Sequence, residues 1–403
     1  MKTYLPLILI FTTLFIGCKE TSKVIKPIET ETSQQTIQDT THEPLVVDST
    51  FWGRTHMIGA ENSSEWIETD FLYREALKEL KMMLEGYQEL SFKKAVFITE
   101  NAYFGDQLLE TGFNKEIERL AALARLWNGS NPLSGYTYRD SVSFSMNRAT
   151  FQVMTDTIFF SENEIGNLPF NYDFDDFFGD KDWSKMFVSK LMGTRIGNCH
   201  SMPYLYKILA EELGTKAYLS LAPNHVYIKQ RCKKAGWYNT ELTSKVFPVD
   251  AWIMTSGYVS RETILSNIYM DTLSQKQSIA LCISDLAQGY KRKQGKGYEP
   301  FVLECMQLAL KYYPNFANGL LLKAETLKDQ FENRREKLGA EYPSELFDNP
   351  DDKDLFDEME RTYLALIKLG YREVPKSTYM QWLSELADNV DKYENKKISN
   401  LNK

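Results

Sequence analysis

The chain has 403 residues, of which 43% are hydrophobic and 13% are aromatic, and it carries a formal net charge of -8 with a pI near 5.3. A chain of this composition can bury a full hydrophobic core, and its length predicts two or three domains. The acidic balance offers no basic surface to a phosphate backbone, so no nucleic-acid partner is expected.

The first residues have the pattern of an export signal. Lys2 precedes an apolar run over residues 5–16, which suits the core of a signal peptide and is too short to span a bilayer. The following Gly17-Cys18 resembles the lipobox of bacterial lipoproteins, in which the cysteine is lipidated. We therefore expect residues 1–17 to be a lipoprotein signal peptide and Cys18 to anchor an exported protein in the bacterial cell envelope, facing the periplasm or the surface. An uncleaved anchor, or a plain secretory signal with an incidental cysteine, is the alternative.

Residues 18–50 are rich in Thr, Glu, Gln and Ser and almost free of aromatic residues. Such a segment cannot bury enough apolar surface to order itself. We expect it to be a disordered tether between the lipid and the folded protein.

The cysteines and histidines form no metal-binding pattern. Beyond Cys18 the cysteines are Cys199, Cys232, Cys282 and Cys305, and the histidines are His42, His56, His200 and His225. Their spacing contains neither C-x-x-C nor H-x-x-x-H, and it does not resemble a disulfide framework. The sequence therefore predicts no metal site and no cofactor.

Helical periodicity dominates the next region. Apolar residues recur at helical spacing over Ser63–Gly86, Ser91–Asn101 and Asn114–Leu126. The stretch Asn128–Asn171 has no regular pattern and receives no assignment. Residues 51–182 are accordingly predicted to be a mainly helical N-terminal region.

An acidic stretch, Asn171–Asp182, precedes the central region. It lacks the carboxylate spacing and the terminal Glu of an EF-hand loop, so it predicts a solvated loop with aromatic anchors.

The central region, residues 183–270, combines helices with short strands. We predict a helix over Trp183–Met192, a turn over Thr194–Asn198 and a second helix over His200–Leu213 that Gly214 terminates. The runs KAYLSLA, NHVYIKQ and GWYNTELT then predict antiparallel strands packed against the second helix. The expected fold class is α+β.

The C-terminal region, residues 271–403, is again helical. Three helices are predicted over Ser278–Arg292, Glu299–Pro314 and Asn315–Leu338, and two or more follow within Asp351–Tyr393. The spacing of small residues in ALKYYPNFANGLLLKA loosely resembles a tetratricopeptide repeat, in which paired helices stack to bury a shared face. An irregular helical cap is the alternative, and in either case these helices could bind a protein partner.

One cysteine and one histidine of the central region are candidates for a nucleophile and its base. Cys199 lies at the predicted helix N-terminus, where the helix dipole favours a thiolate and where its own N–H could bind an oxyanion. His225 opens a strand that helix-to-sheet packing could bring alongside the thiol. His200 follows Cys199 directly and should face elsewhere, because successive helical residues point about 100° apart.

A third group should orient the imidazole, and the spacing alone leaves three candidates open. Asn239 and Glu241 are two residues apart and share one face of the predicted strand, and Asp250 lies further along the chain.

The order of these elements is similar to the transglutaminase-like superfamily of papain-like cysteine enzymes. The residues that carry the resemblance are Gly197 and Cys199, Leu213-Gly214, His225, and Gly236-Trp237 with Glu241. The resemblance implies a Cys-His-acid triad of Cys199, His225 and Glu241, with Asn239 as the alternative third member. Glu241 departs from the usual Asp. The runs Asn198–Tyr206 and Trp237–Thr243 look like a bacterial branch that is joined to tetratricopeptide-like helices, and residues 183–270 would then be the transglutaminase-like core.

These observations predict a membrane-anchored, exported cysteine enzyme that acts on amide bonds, as a peptidase or amidase rather than a cross-linking enzyme. Its substrate would be a peptide or protein, which includes a cell-wall peptide. The alternatives are a catalytically inactive transglutaminase-like and helical-repeat scaffold that binds a partner at the envelope, and a plain structural lipoprotein. A disulfide between Cys199 and Cys232 would favour the scaffold, and a cleft filled by side chains would favour the structural protein.

Overall fold

The computed structural model of the protein describes residues 63–160 and 165–402, which belong to one compact unit. The predicted signal peptide, Cys18 and the tether lie outside the described residues. Within the described ranges, no helix combines the length and the apolar character needed to cross a membrane. The protein is a helix-rich α+β protein with small sheets, as predicted.

In the part of the N-terminal region that the structure describes there are four helices, namely α1 (Ser63–Glu85), α2 (Phe92–Tyr103), α3 (Glu110–Ser130) and α4 (Ser141–Thr155). The three predicted helices are confirmed. α1 and α2 begin within one residue of their predicted starts, and α3 extends four residues beyond its predicted limits at each end. α4 falls in the unassigned stretch. Its buried residues include the polar Asn147, Arg148 and Thr150 on several sides, so its sequence has no apolar stripe to mark it as a helix.

Three small sheets follow. β1 (Ile158–Phe160) and β2 (Ile165–Asn167) are antiparallel, β3 (Asn171–Tyr172) and β4 (Ile196–Gly197) are parallel, and β5 (Tyr218–Ala222), β6 (His225–Cys232) and β7 (Gly236–Thr240) form an antiparallel meander. The three strands predicted beyond Gly214 are therefore confirmed. The predicted turn at Gly197 is instead a short strand that pairs with Tyr172.

The central helices are a 3₁₀ turn (Trp183–Met186), α5 (Val188–Thr194) and α6 (Ser201–Glu212). The single helix predicted over Trp183–Met192 is wrong in this detail, because extended backbone at Phe187 interrupts it. α6 packs against β5 and β6, and Gly214 terminates it with a positive φ of 68°.

The remaining helices are α7 (Asp250–Met254), α8 (Arg261–Leu265), α9 (Gln275–Gln294), α10 (Glu299–Tyr312), α11 (Ala317–Leu338), α12 (Pro350–Lys368), α13 (Lys376–Asp388), α14 (Val390–Tyr393) and α15 (Lys396–Asn402), with a 3₁₀ turn at Pro343–Leu346. α10 packs on both α9 and α11, α11 packs on α12, and α9 also packs on α2. One hydrophobic cluster contains residues from the N-terminal, central and C-terminal regions. This core has no break at the predicted boundaries after residues 182 and 270.

The end of the described chain returns to the central region. We call residues 374–395 the C-terminal strap. α13 buries one face of this strap through Tyr379, Trp382, Leu383 and Leu386, which recur at the helical period. The end of the strap is held by backbone bonds, since the Val249 N–H donates to the Tyr393 carbonyl at 2.8 Å and the Asn395 N–H donates to the Phe247 carbonyl at 2.7 Å.

Candidate active site

Asn198 organises the turn that carries Cys199. Its side-chain oxygen accepts hydrogen bonds from the backbone N–H groups of His200 and Ser201, each at 3.0 Å, in the manner of a helix cap. α6 begins at Ser201, one residue later than predicted, and Cys199 lies in the capped turn before it. Among the described residues, no acceptor bonds to the Cys199 backbone N–H, which leaves this group available to an oxyanion.

Gly197 is required by the packing of this turn. A Cβ added at Gly197 would lie 2.5 Å from the Leu191 side chain and 2.7 Å from the Ser201 hydroxyl, closer than real Cβ contacts. The structure gives Gly197 an internal role, which is to let β4, α5 and the start of α6 meet behind Cys199.

The sheet brings His225 and Glu241 together. The register of β6 and β7 pairs Ile228 with Thr240, so Glu241, the next residue, leaves β7 beside the beginning of β6, where His225 lies. The His225 Nε2 lies 2.6 Å from a Glu241 carboxylate oxygen, and the other carboxylate oxygen accepts the Thr243 N–H at 2.8 Å. Both oxygens are thus held, and the imidazole has one fixed orientation.

Tyr379 and Tyr172 complete the surroundings of the imidazole, and neither was identified from the sequence. The Tyr379 hydroxyl lies 3.1 Å from the His225 Nδ1 and 3.4 Å from the Tyr172 hydroxyl, and it helps to lower the pKa of Cys199. Tyr172 arrives through the pairing of β3 with β4. Tyr379 comes from α13 in the C-terminal strap, 154 residues from His225 along the chain.

The electrostatics of the site favour a charged thiolate–imidazolium pair. Burial alone would raise the pKa of Cys199, but the hydrogen bond and charge of His225, together with the Tyr379 hydroxyl, hold it below its ordinary value. Burial opposes protonation of His225, yet the charge of Glu241 and bonds to Cys199 and Glu241 raise its pKa to about 10. Burial also acts against a charged Glu241, and the positive His225 nevertheless lowers the Glu241 pKa.

Two other cysteines show what burial does without such partners. Cys282 and Cys305 are as buried as Cys199, and burial raises the pKa of both thiols well above the ordinary value. The pKa of Cys199 is therefore lowered by the residues around the thiol, whereas burial acts in the opposite direction.

The alternative third members lie elsewhere. The Asn239 amide donates to the Pro248 carbonyl at 3.1 Å and to the Asp250 carboxylate at 2.8 Å. Asp250 itself is largely exposed. Of the three candidates that the sequence left open, only Glu241 contacts His225.

His200 forms a separate pair behind Cys199. Its Nε2 lies 3.1 Å from the Asp285 carboxylate of α9, and its Nδ1 lies 2.9 Å from the Met186 carbonyl. Burial lowers the pKa of His200, but Asp285 raises it by more, so the net pKa lies above the usual value. A small cavity is lined by Glu100, His200, Tyr204 and Asp285 and does not include Cys199 or His225.

The site is closed to solvent. Cys199 is 5% exposed, His225 3% and Glu241 2%. The Cys199 thiol faces the Asn224 carbonyl at 3.8 Å, besides the partners above. A substrate carbonyl must come within about 3–3.5 Å of the attacking sulfur, so a side chain has to leave before a substrate can react.

The four described cysteines are free, so Cys199 and Cys232 form no disulfide. Within residues 63–160 and 165–402, no group of three or more His, Cys, Asp or Glu side chains is arranged to hold a metal ion.

No family model matches the chain, and neither a curated protein nor a solved structure matches it significantly. Its function therefore has to be argued from the site itself.

Proposed function

We propose that the protein is a transglutaminase-like cysteine enzyme that acts on amide bonds, with Cys199 as nucleophile, His225 as general base and acid, and Glu241 as the residue that positions His225. The observation that carries the proposal is the 2.6 Å hydrogen bond between His225 and Glu241, next to a cysteine whose pKa His225 lowers against the effect of burial, whereas burial raises the pKa of Cys282 and Cys305. A structural histidine or cysteine forms its hydrogen bonds independently of the other. Here Cys199, His225 and Glu241 each change the pKa of a neighbour in the group.

The proposed reaction has two halves. The Cys199 thiolate attacks the amide carbonyl carbon, and the Cys199 N–H stabilises the resulting oxyanion. His225 donates its Nδ1 proton to the leaving amine as the C–N bond breaks, which leaves a thioester on Cys199. His225 then takes a proton from water, the hydroxide adds to the thioester carbonyl, and the released acid restores the thiolate–imidazolium pair.

We favour hydrolysis over transfer to an amine, because the resemblance is to the broad bacterial peptidase-like group. The substrate class is a peptide or protein, including a cell-wall peptide. With the export signal and Cys18, the enzyme would act at the cell envelope while anchored by lipid, and the stacked helices α9 to α12 offer a surface for a protein partner.

A second candidate is a binding scaffold or structural lipoprotein that has kept the triad without its chemistry. One observation favours it, namely that Tyr379 fills the space at the thiol and leaves Cys199 almost fully buried. Under this alternative, Cys199 would remain unreactive however the strap moves.

The test is the reactivity of Cys199 across pH. Purified protein and the variant His225→Ala are labelled with iodoacetamide between pH 5 and 10, and the modified cysteine is identified by mass spectrometry. We expect Cys199 to react well below the pH of about 8.5 that marks a free thiol, and His225→Ala to lose this reactivity. Acetylation of Cys199 by p-nitrophenyl acetate, followed as released nitrophenol and as added mass, then tests acyl transfer. If Cys199 behaves as an ordinary thiol in both proteins, the enzyme proposal is refuted.

A further inference from the structure

The C-terminal strap contacts the candidate site through aromatic side chains. Tyr379 packs against Phe177 and Phe178, with ring centroids 5.6 and 5.1 Å away, and its hydroxyl bonds to His225 and Tyr172. Trp382 stacks on Trp252 at 4.4 Å. The strap therefore occupies the approach to the thiol with the same side chains that anchor it.

Two polar contacts hold the leading end of the strap. The Asn224 amide donates to the Val374 carbonyl at 2.9 Å, and the Lys376 ammonium pairs with the Asp180 carboxylate. Lys376 and Asp180 have side chains that are 61% and 54% exposed, so this pair lies at the surface. A surface ion pair contributes little and can be altered without disturbing the core.

The two ends of the strap differ in how firmly they are held. Residues 371–373, which precede the strap, form neither helix nor strand, and Arg372 and Glu373 are exposed, although Val374 at the start of the strap is buried. The far end is fixed by the backbone bonds of Tyr393 and Asn395. Opening that begins at the exposed Lys376–Asp180 pair would release Tyr379 while the backbone bonds of the far end stay in place.

We propose that the C-terminal strap is an intramolecular gate that occupies the acyl-substrate position, with Tyr379 as the group that a substrate must displace. This inference rests on the proposed function, because it gives the closed site a role in regulating that activity. In the closed state the Tyr379 hydroxyl lies 3.1 Å from the His225 Nδ1, and both Tyr379 and Cys199 are buried, so Tyr379 occupies the position from which a substrate would reach the imidazole and the thiol. Opening exposes Cys199 with the His225–Glu241 pair intact.

The experiment loosens the strap by charge reversal at its surface pair. Asp180→Lys and Lys376→Glu each place like charges together, and the double variant restores opposite charges. Hydrogen exchange of peptides from α13 measures opening of the strap, and iodoacetamide labelling measures access to Cys199. We expect each single variant to raise both rates about twofold to fivefold, and the double variant to return both towards the wild-type values.

Two further variants complete the design. Lys353→Glu disrupts the exposed pair of Lys353 with Asp357 on α12, 2.7 Å apart, and should change neither rate. Trp382→Ala removes the stack on Trp252 and should raise strap exchange by at least about tenfold, with Cys199 labelling rising in proportion. A near-UV circular dichroism spectrum of Trp382→Ala is the control for folding, because it shows whether the variant keeps its packed core.

The outcomes separate this inference from the proposed function. Labelling that follows strap exchange across the variants supports the gate. Labelling that stays constant while exchange rises, or Cys199 labelling in the wild type at the rate of an exposed thiol, overturns it. If labelling follows the strap but is unchanged by His225→Ala, the gate stands and the catalytic proposal fails.

Discussion

Two imidazole–carboxylate pairs lie on either side of the Cys199 turn, and they differ in the second ring nitrogen. In both pairs the Nε2 faces a carboxylate, Glu241 for His225 and Asp285 for His200. The Nδ1 of His200 is bound to the Met186 carbonyl, whereas the Nδ1 of His225 lies 3.1 Å from the Tyr379 hydroxyl, and Cys199 contributes to the raised pKa of His225. A backbone carbonyl fixes the proton on the ring, so His200 is a satisfied structural group, while His225 can exchange its proton.

The comparison shows that raised basicity alone does not identify a general base. The pKa of each histidine lies above its ordinary value, because a carboxylate outweighs burial in both cases. What separates them is access to a reacting atom. Variants that act on one pair and spare the other therefore test the assignment directly.

The largest expected effect is on acyl transfer when the carboxylates are neutralised. Glu241→Gln should slow acetylation of Cys199 by p-nitrophenyl acetate about 100-fold or more, because the base loses its orientation and much of its proton affinity. Asp285→Asn should leave the rate within about threefold of the wild type, since His200 takes part in no proton transfer. Stopped-flow measurement of released nitrophenol compares them, and equal losses in both variants would contradict the distinction.

For the His200–Asp285 pair, we expect substitution to lower the stability of the fold and to leave the reactivity of Cys199 almost unchanged. His200→Asn should lower the free energy of unfolding by about 2 kcal/mol, because it removes charge-assisted bonds from a buried group. Cys199 labelling should change little in the folded variant. Urea unfolding followed by fluorescence measures the first quantity, and Tyr204→Phe, which removes only the hydroxyl bond to Asp285 at 3.0 Å, is the milder control.

A change behind the turn should disturb both pairs together. Gly197→Ala places a Cβ against Leu191 and Ser201, and we expect a loss of about 1–3 kcal/mol in the free energy of unfolding together with slower Cys199 labelling. Gly129→Ala is the matched control, because Gly129 lies exposed in α3 with no atom within 4 Å of the added Cβ. It should be neutral or stabilise the protein by up to about 1 kcal/mol. A Gly197→Ala protein as stable as wild type would mean that the turn can shift freely.

The sequence predicted local elements of the site better than its long-range contacts. The strands with His225 and Glu241 follow from alternating apolar residues and turn signals, and the helix after Cys199 follows from its periodicity. Glu241, Asn239 and Asp250 could not be separated in advance, because that choice depends on strand register. Register emerges only when the sheet packs.

The contacts between the C-terminal strap and the candidate site could not be predicted from the sequence. The spacing of Tyr379, Trp382, Leu383 and Leu386 indicates a buried helix face, and it does not indicate which surface covers that face. Tyr172 lies in a stretch that we predicted to be a solvated loop, yet its hydroxyl belongs to the site. Tyr379 reaches His225, and Tyr172 reaches Tyr379, through tertiary packing, for which a single sequence carries no local signal.

The last expected effect concerns the dependence of stability on pH, and it tests the charge state of the thiol. The raised pKa of His200 means that its contribution is complete below its unfolded value of 6.5 and is lost as the pH rises through its higher folded value. Glu100, whose pKa burial raises to about 7, acts in the same direction, because the folded state binds its proton more tightly. Stability should thus decline from about pH 5 upwards, and His200→Asn should flatten the decline above pH 6.5.

The Cys199–His225 pair should contribute almost nothing to that slope near neutral pH. If the folded pair is a thiolate and an imidazolium, the proton that leaves the thiol on folding is held by the imidazole, and the pair takes up no net proton from solvent. Cys199→Ala removes the donor, and His225 beside Glu241 must then take its proton from solvent. The slope between pH 7 and 9 should become steeper by up to about 1.4 kcal/mol per pH unit, measured by urea unfolding. An unchanged slope would mean that the folded protein keeps its proton on sulfur, in which case His225 would have to activate the thiol during the reaction instead of beforehand.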